Sequence, residues 1–138
     1  MKTKAIHNIK AAEALIDKAE EGYYTASIHH VYYAVFQYMK YELAHTDVEP
    51  LSYEEQTVKA KEYRMGSHDF IIKEIKRRIG RLANLDTAKD FARDVRELKG
   101  DRIDADYRSR QFTLEESLAC KRLAEELITK LKTYFGDL

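Results

Sequence analysis

The sequence predicts an all-α fold, an up-and-down antiparallel bundle of about five helices. Three observations carry this reading. Apolar residues recur at helical spacing along most of the chain, and no run alternates with period two for long enough to argue a strand. Helix-breaking residues are sparse: one proline, Pro50, and four of five glycines (Gly22, Gly66, Gly100, Gly136) that sit between or after the periodic runs. At 138 residues, 44% hydrophobic and 35% charged, the chain has the size of one domain spanning 1–138 and the composition of a globular protein with a solvated surface. A chain of this length buries roughly two-thirds of the surface it exposes when unfolded, enough for a core without staples.

The first helix is expected over about 4–21, where Ala5, Ile9, Ala12, Ile16 and Ala19 form a stripe of small and branched residues. The second, about 23–45, is long enough to run roughly 34 Å. Its main stripe is Tyr24, Ile28, Val31, Tyr32, Val35, Met39 and Leu43, and its other side (Ala26, His30, Tyr33, Ala34, Gln37, Tyr41) is uncharged as well. A helix without a charged face is buried on more than one side, which makes this the central element. Residues 46–66 are the least regular, broken at Pro50, with a short, highly charged helical stretch over about 53–64. A third helix, about 67–84, is read with Ser67 as N-cap and Ile71, Ile72, Ile75, Ile79 and Leu82 turned inward. The fourth, about 87–108, turns Ala88, Phe91, Val95, Leu98 and Ala105 inward, with Gly100 as a point of bending. The fifth opens at a capping box, Thr113 with Glu116, and runs to Phe135 with Cys120, Ala124, Leu127, Ile128 and Leu131 facing in.

Composition excludes several classes. A single cysteine, Cys120, rules out a disulfide framework and a Cys-based zinc site. No two histidines lie at i,i+4 on a helix, so no metal or other cofactor is expected. No apolar stretch approaches the length of a membrane span, and the N-terminus, Met1 to His7, lacks the apolar core of a signal peptide. A cytoplasmic location without a membrane partner follows as an expectation. Lysine plus arginine and aspartate plus glutamate number 24 each, so no overall field draws the protein to nucleic acid, and only local patches can do so.

Arg102 is the most informative residue. It falls on the inward stripe of the fourth helix, four residues after Leu98 and three before Ala105. A guanidinium on a core face needs carboxylate, carbonyl or ligand partners, because unpaired burial is very costly. Asp106, one turn on, is placed to pair with it. That pair is read either as a structural clamp or as part of an anion site. Lys73, Arg77 and Arg81 form a basic row on the third helix, suited to phosphates or simply to solvent. His29 and His30 lie in the central helix beside Tyr32 and Tyr33, where a buried, hydrogen-bonded role is the ordinary one. His68 lies in the first turn of the third helix, where the helix dipole favours a neutral imidazole, as acid–base group or surface residue. The tyrosines from Tyr23 to Tyr41 suit base stacking, a core or a dimer interface. No Gly-rich phosphate loop and no nucleophile elbow is present.

Three segments together resemble the HEPN superfamily (higher eukaryotes and prokaryotes nucleotide-binding). They are Ala26-Ser27-Ile28-His29-His30-Val31-Tyr32-Tyr33-Ala34-Val35-Phe36, then Ser67-His68-Asp69-Phe70, then Arg102-Ile103-Asp104-Ala105-Asp106-Tyr107. The resemblance implies a helical bundle that is usually a homodimer and handles RNA or nucleotides. It further implies a bacterial toxin–antitoxin or phage-defence setting, often with a nucleotidyltransferase-type partner. Many members are metal-independent RNases marked by Arg, four to six residues, then His. Here Arg64 precedes His68 by only three intervening residues, and no histidine follows Arg102. The standard RNase site is missing. Two functions are therefore expected: a non-catalytic binding module, or an RNase with a rearranged site in which Arg102 supplies the cation and His68 or His29 the acid–base group. The binding residues implied alongside Arg102 are Asp106, Tyr107, Tyr33 and the row Lys73, Arg77 and Arg81.

Overall fold

A computed structural model describes residues 1–137, with the backbone alone at Glu21. The described residues form six helices and no strand: α1 (Lys2–Asp17), α2 (Glu21–His45), α3 (Tyr53–Glu62), α4 (Ser67–Leu82), α5 (Leu85–Tyr107) and α6 (Leu114–Phe135). The all-α bundle is as expected, with one more helix in it. The added element is α3, the charged stretch after Pro50. Its start is a capping box in which the Ser52 hydroxyl accepts from the Glu55 amide and the Glu55 carboxylate accepts from the Ser52 amide. Its apolar signal is weak because it buries only Gln56 and Ala60; the Gln56 amide donates to the carbonyls of Lys40 and Leu51.

Several boundaries differ from expectation for local reasons. α1 ends at Asp17, and Ala19 lies outside it, exposed and in the left-handed region at φ 56°. Ser67 is not an N-cap: Gly66 holds that position without a side-chain bond, and Ser67 is the first helical residue. Leu82 lies outside the core, more than half exposed in the last turn of α4. α5 begins at Leu85, capped by the Asn84 side chain accepting from the Thr87 amide, and continues without interruption through Gly100. The Thr113–Glu116 box at the start of α6 forms as the sequence implied.

The core is built around α2, which packs against α1, α4, α5 and α6. Ile28, Val31, Tyr32, Val35, Met39 and Leu43 are buried, and so are Ala34 and Tyr38 on other sides. Of its uncharged second side Ala34 is buried, His30, Tyr33, Gln37 and Tyr41 are half-buried and Ala26 is exposed. Ile72, Ile75 and Ile79 of α4, Phe91, Val95 and Leu98 of α5 and Leu127 and Leu131 of α6 close the core. Each such side chain contributes about 1.5–3 kcal/mol by leaving water. Arg78, outside the basic row, is buried: it donates to the carbonyls of Val48 and Glu49 at 2.8 and 2.6 Å and to the Glu74 carboxylate at 2.9 Å. It ties the irregular 46–52 segment to α4. This packing sets α2, α4 and α5 around one another, so that polar residues of all three meet at one end.

Candidate functional site

Arg102 is buried on α5, and its Cζ lies 5.2 Å from the centre of the Tyr32 ring and 5.5 Å from that of Tyr33. The Tyr107 ring, one turn further along α5 and exposed, lies 6.0 Å away. Three aromatic rings thus surround a guanidinium, an arrangement favoured by the ring quadrupoles and stronger away from water. Its carboxylate partner is distant. Arg102 Nη1 lies 3.7 Å from Asp106 Oδ2, whereas the same oxygen is 2.8 Å from His29 Nδ1. Arg102 Nε is buried with no hydrogen-bond partner among the described residues. The expected Arg102–Asp106 pair exists, but as the looser arm of a triad that includes His29. A buried donor without a partner is costly, so this nitrogen is an unmet hydrogen-bonding demand within the site.

His68 enters from the first turn of α4. Its Nδ1 is 2.7 Å from the Tyr32 hydroxyl, and its ring lies flat on Phe36 with centroids 4.0 Å apart and 3° between planes. Burial, with the positive charges of Arg102 and then Lys99 adding to it, brings its pKa down to about 4. At neutral pH His68 is an uncharged imidazole. Burial pushes the Tyr32 phenol well above its usual range, so it keeps its proton. Lys99 of α5 is engaged at 2.9 Å with Asp69, beside His68. His30 is turned to a separate polar chain: its Nδ1 lies 2.7 Å from Asn8 Oδ1, and the Asn8 amide donates to Gln37 Oε1 at 2.8 Å. Its pKa is lowered first by burial and then by His29.

The chain matches the HEPN domain over residues 1–134 of its 138. It belongs to the HEPN family. No curated protein and no solved structure matches it significantly. All three motif segments of the HEPN resemblance meet at this one place: His29, Tyr32, Tyr33 and Phe36 from α2, His68 and Asp69 from α4, Arg102, Asp106 and Tyr107 from α5. The catalytic candidates His29, His68 and Arg102 are thereby neighbours around Tyr32 and Tyr33, although no Arg-to-His motif links them in sequence.

The basic row lies elsewhere in this HEPN fold. Lys73, Arg77 and Arg81 line a groove with Tyr63, Met65, Phe70 and Leu85. Arg77 is held by Glu74 and approaches Glu49 at 3.7 Å, as does Arg81. Two site residues escape sequence reasoning. Tyr32 reads as core because its position on the stripe outweighs its hydroxyl, and Lys99 carries no signal in the sequence that sets it apart. The signal for Tyr32 was chemical: a buried phenol needs a partner, and a histidine opening a neighbouring helix can provide one.

The arrangement holds one buried cation with an open donor, one neutral histidine and one carboxylate-supported histidine. It can bind an anion and place hydrogen-bonding groups around it. The described residues contain no helix long and apolar enough to cross a membrane.

Proposed function

We propose that this HEPN protein binds RNA or a nucleotide through a phosphate seated at Arg102. The observation that carries the reading is the buried guanidinium whose Nε has no partner among the described residues and whose nearest carboxylate oxygen is shared with His29. A structural clamp would engage the carboxylate by both arms, whereas here Arg102 meets it through one terminal nitrogen at 3.7 Å, which leaves the guanidinium able to donate a charge-assisted bond to a phosphate oxygen. Tyr33 and Tyr107 supply aromatic faces beside it for a base. HEPN membership supports a role in a bacterial toxin–antitoxin or phage-defence pair, with a nucleotidyltransferase-type partner, and supports a homodimer. Tyr107 at 73% exposure beside the site, with Leu114 and Leu118 one turn apart and exposed on α6, provides apolar surface for that dimer.

A second reading, a metal-independent ribonuclease, is favoured by one observation. His29 is oriented by Asp106 at 2.8 Å, the support a general base requires, close to the cation that would stabilise a phosphorane. Equilibrium binding of short RNAs and nucleotides, followed by incubation of total RNA with protein in EDTA, tests both. Binding that Arg102→Ala abolishes, without cleavage, supports the binding module. Cleavage lost in both Arg102→Ala and His29→Ala supports the ribonuclease. Wild-type affinity retained in Arg102→Ala overturns both.

A further inference from the structure

Each histidine beside Arg102 has one ring nitrogen engaged and the other without a partner among the described residues. The engaged partners differ in kind. Tyr32 is fully buried and its hydroxyl has one hydrogen-bond partner, His68 Nδ1, at 2.7 Å. Were Nδ1 to carry the proton, the phenol would have no acceptor, and a buried hydroxyl without one is disfavoured. The phenol therefore donates, Nδ1 accepts, and the neutral ring of His68 carries its proton on Nε2. Asp106 is a different partner: a carboxylate only accepts, so His29 Nδ1, 2.8 Å away, donates. With Nδ1 committed to Asp106, the Nε2 of an uncharged His29 ring is an acceptor.

We infer that Tyr32 and Asp106 are positioning residues that fix His68 and His29 in opposite tautomers, so that the site presents one hydrogen-bond donor and one acceptor beside the Arg102 guanidinium. Phe36 supports the first arrangement by holding the His68 ring flat at 4.0 Å. The pattern rests on the reading of Arg102 as an anion contact, and it specifies the ligand further. The complementary group is a phosphate with a hydroxyl on a neighbouring carbon. The phosphate oxygens accept from Arg102 and from His68 Nε2, and the hydroxyl donates to His29 Nε2. Arg102 alone would not distinguish such a ligand from a bare phosphate.

The test is long-range proton–nitrogen NMR of the full chain labelled with 15N-histidine, at pH 7.5, with titrations of ligand. His68 is expected to show a protonated Nε2 alone and His29 a protonated Nδ1 alone; a proton on the opposite nitrogen of either ring, or on both nitrogens of His29, overturns the inference. Tyr32→Phe should erase the bias at His68 while leaving His29 unchanged, and weaken inorganic phosphate about fivefold, the loss of one neutral hydrogen bond. A purely structural role for Tyr32 would leave the His68 tautomer unmoved, and that result also overturns it. Adenosine 3′-monophosphate should bind roughly three- to tenfold tighter than its 2′-deoxy analogue. His29→Ala should remove that preference and Tyr32→Phe should retain it. Equal affinities in the wild type overturn the ligand assignment. The wild-type spectrum decides the tautomers even if Tyr32→Phe fails to fold. The expected tautomers without any phosphate binding would sink the anion reading and leave the positioning roles standing, whereas phosphate binding with the wrong tautomers would do the reverse.

Discussion

Arg102→Ala separates a clamp of the fold from a contact made for a ligand, because the two roles predict different stability losses. The ion pair to Asp106 spans 3.7 Å. At an effective dielectric of about 20 its gross attraction is about 4 kcal/mol. Desolvation of the buried guanidinium offsets most of that. Removing the arginine does not orphan the carboxylate, since Asp106 keeps His29 at 2.8 Å. The loss of contact with the Tyr32 and Tyr33 rings adds about 1 kcal/mol. The net cost is therefore about 2 kcal/mol, below the 3–5 kcal/mol of a truncation that leaves a bare buried charge. In a domain of this size it lowers Tm by roughly 4–8 °C. Binding should suffer more: loss of charge-assisted bonds of about 1.5–3 kcal/mol each weakens a phosphate ligand at least tenfold. Urea unfolding followed by circular dichroism gives the first quantity, and calorimetric titration with phosphate or nucleotide the second. A stability loss above about 4 kcal/mol, rescued by the double change Arg102→Met with Asp106→Leu and accompanied by unchanged ligand affinity, would refute the reasoning.

Three further outcomes are expected. Glu42 is fully buried, its two carboxylate oxygens and the Tyr38 hydroxyl lack partners among the described residues, and burial raises its pKa to about 7. The folded state thus holds a proton that the unfolded carboxyl releases near its ordinary value of about 4.3, and stability falls as pH rises from there to about 7. His68, lowered to about 4, has the opposite sign: stability rises between about 4 and 6.5. The two slopes oppose each other in wild type, so the advantage of Glu42→Gln over wild type should grow with pH up to about 7 and then level off in urea titrations. A pH-independent difference would contradict the burial of that charge. Arg78→Ala should cost about 2–4 kcal/mol by releasing the carbonyls of Val48 and Glu49, whereas Arg77→Ala, at an exposed arginine whose partner Glu74 keeps Arg78, should cost under about 1 kcal/mol. Equal urea midpoints for the two variants would show that the 46–52 segment does not depend on Arg78. Sedimentation should show a dimer at tens of micromolar, the roughly micromolar regime of a stable interface; a monomer there would count against apolar pairing beside Tyr107.

What the sequence determined by itself was local in origin. The apolar stripes of α1, α2, α4, α5 and α6, the central place of α2, the Thr113–Glu116 cap and the inward position of Arg102 all follow from helical spacing, which a single segment carries. α3 was hard to place because it buries only Gln56 and Ala60 and so has almost no apolar stripe, and Leu82 was misjudged because periodicity continues past the point where the core ends. The site was decided by tertiary structure. Tyr32 meets His68 across 36 residues and His29 meets Asp106 across 77, distances over which spacing says nothing about contact. Periodicity said that Arg102 faces inward. Only the crossing of α2, α4 and α5 decided that it faces two tyrosines and half of a carboxylate already committed to His29, and that its remaining donor is left open.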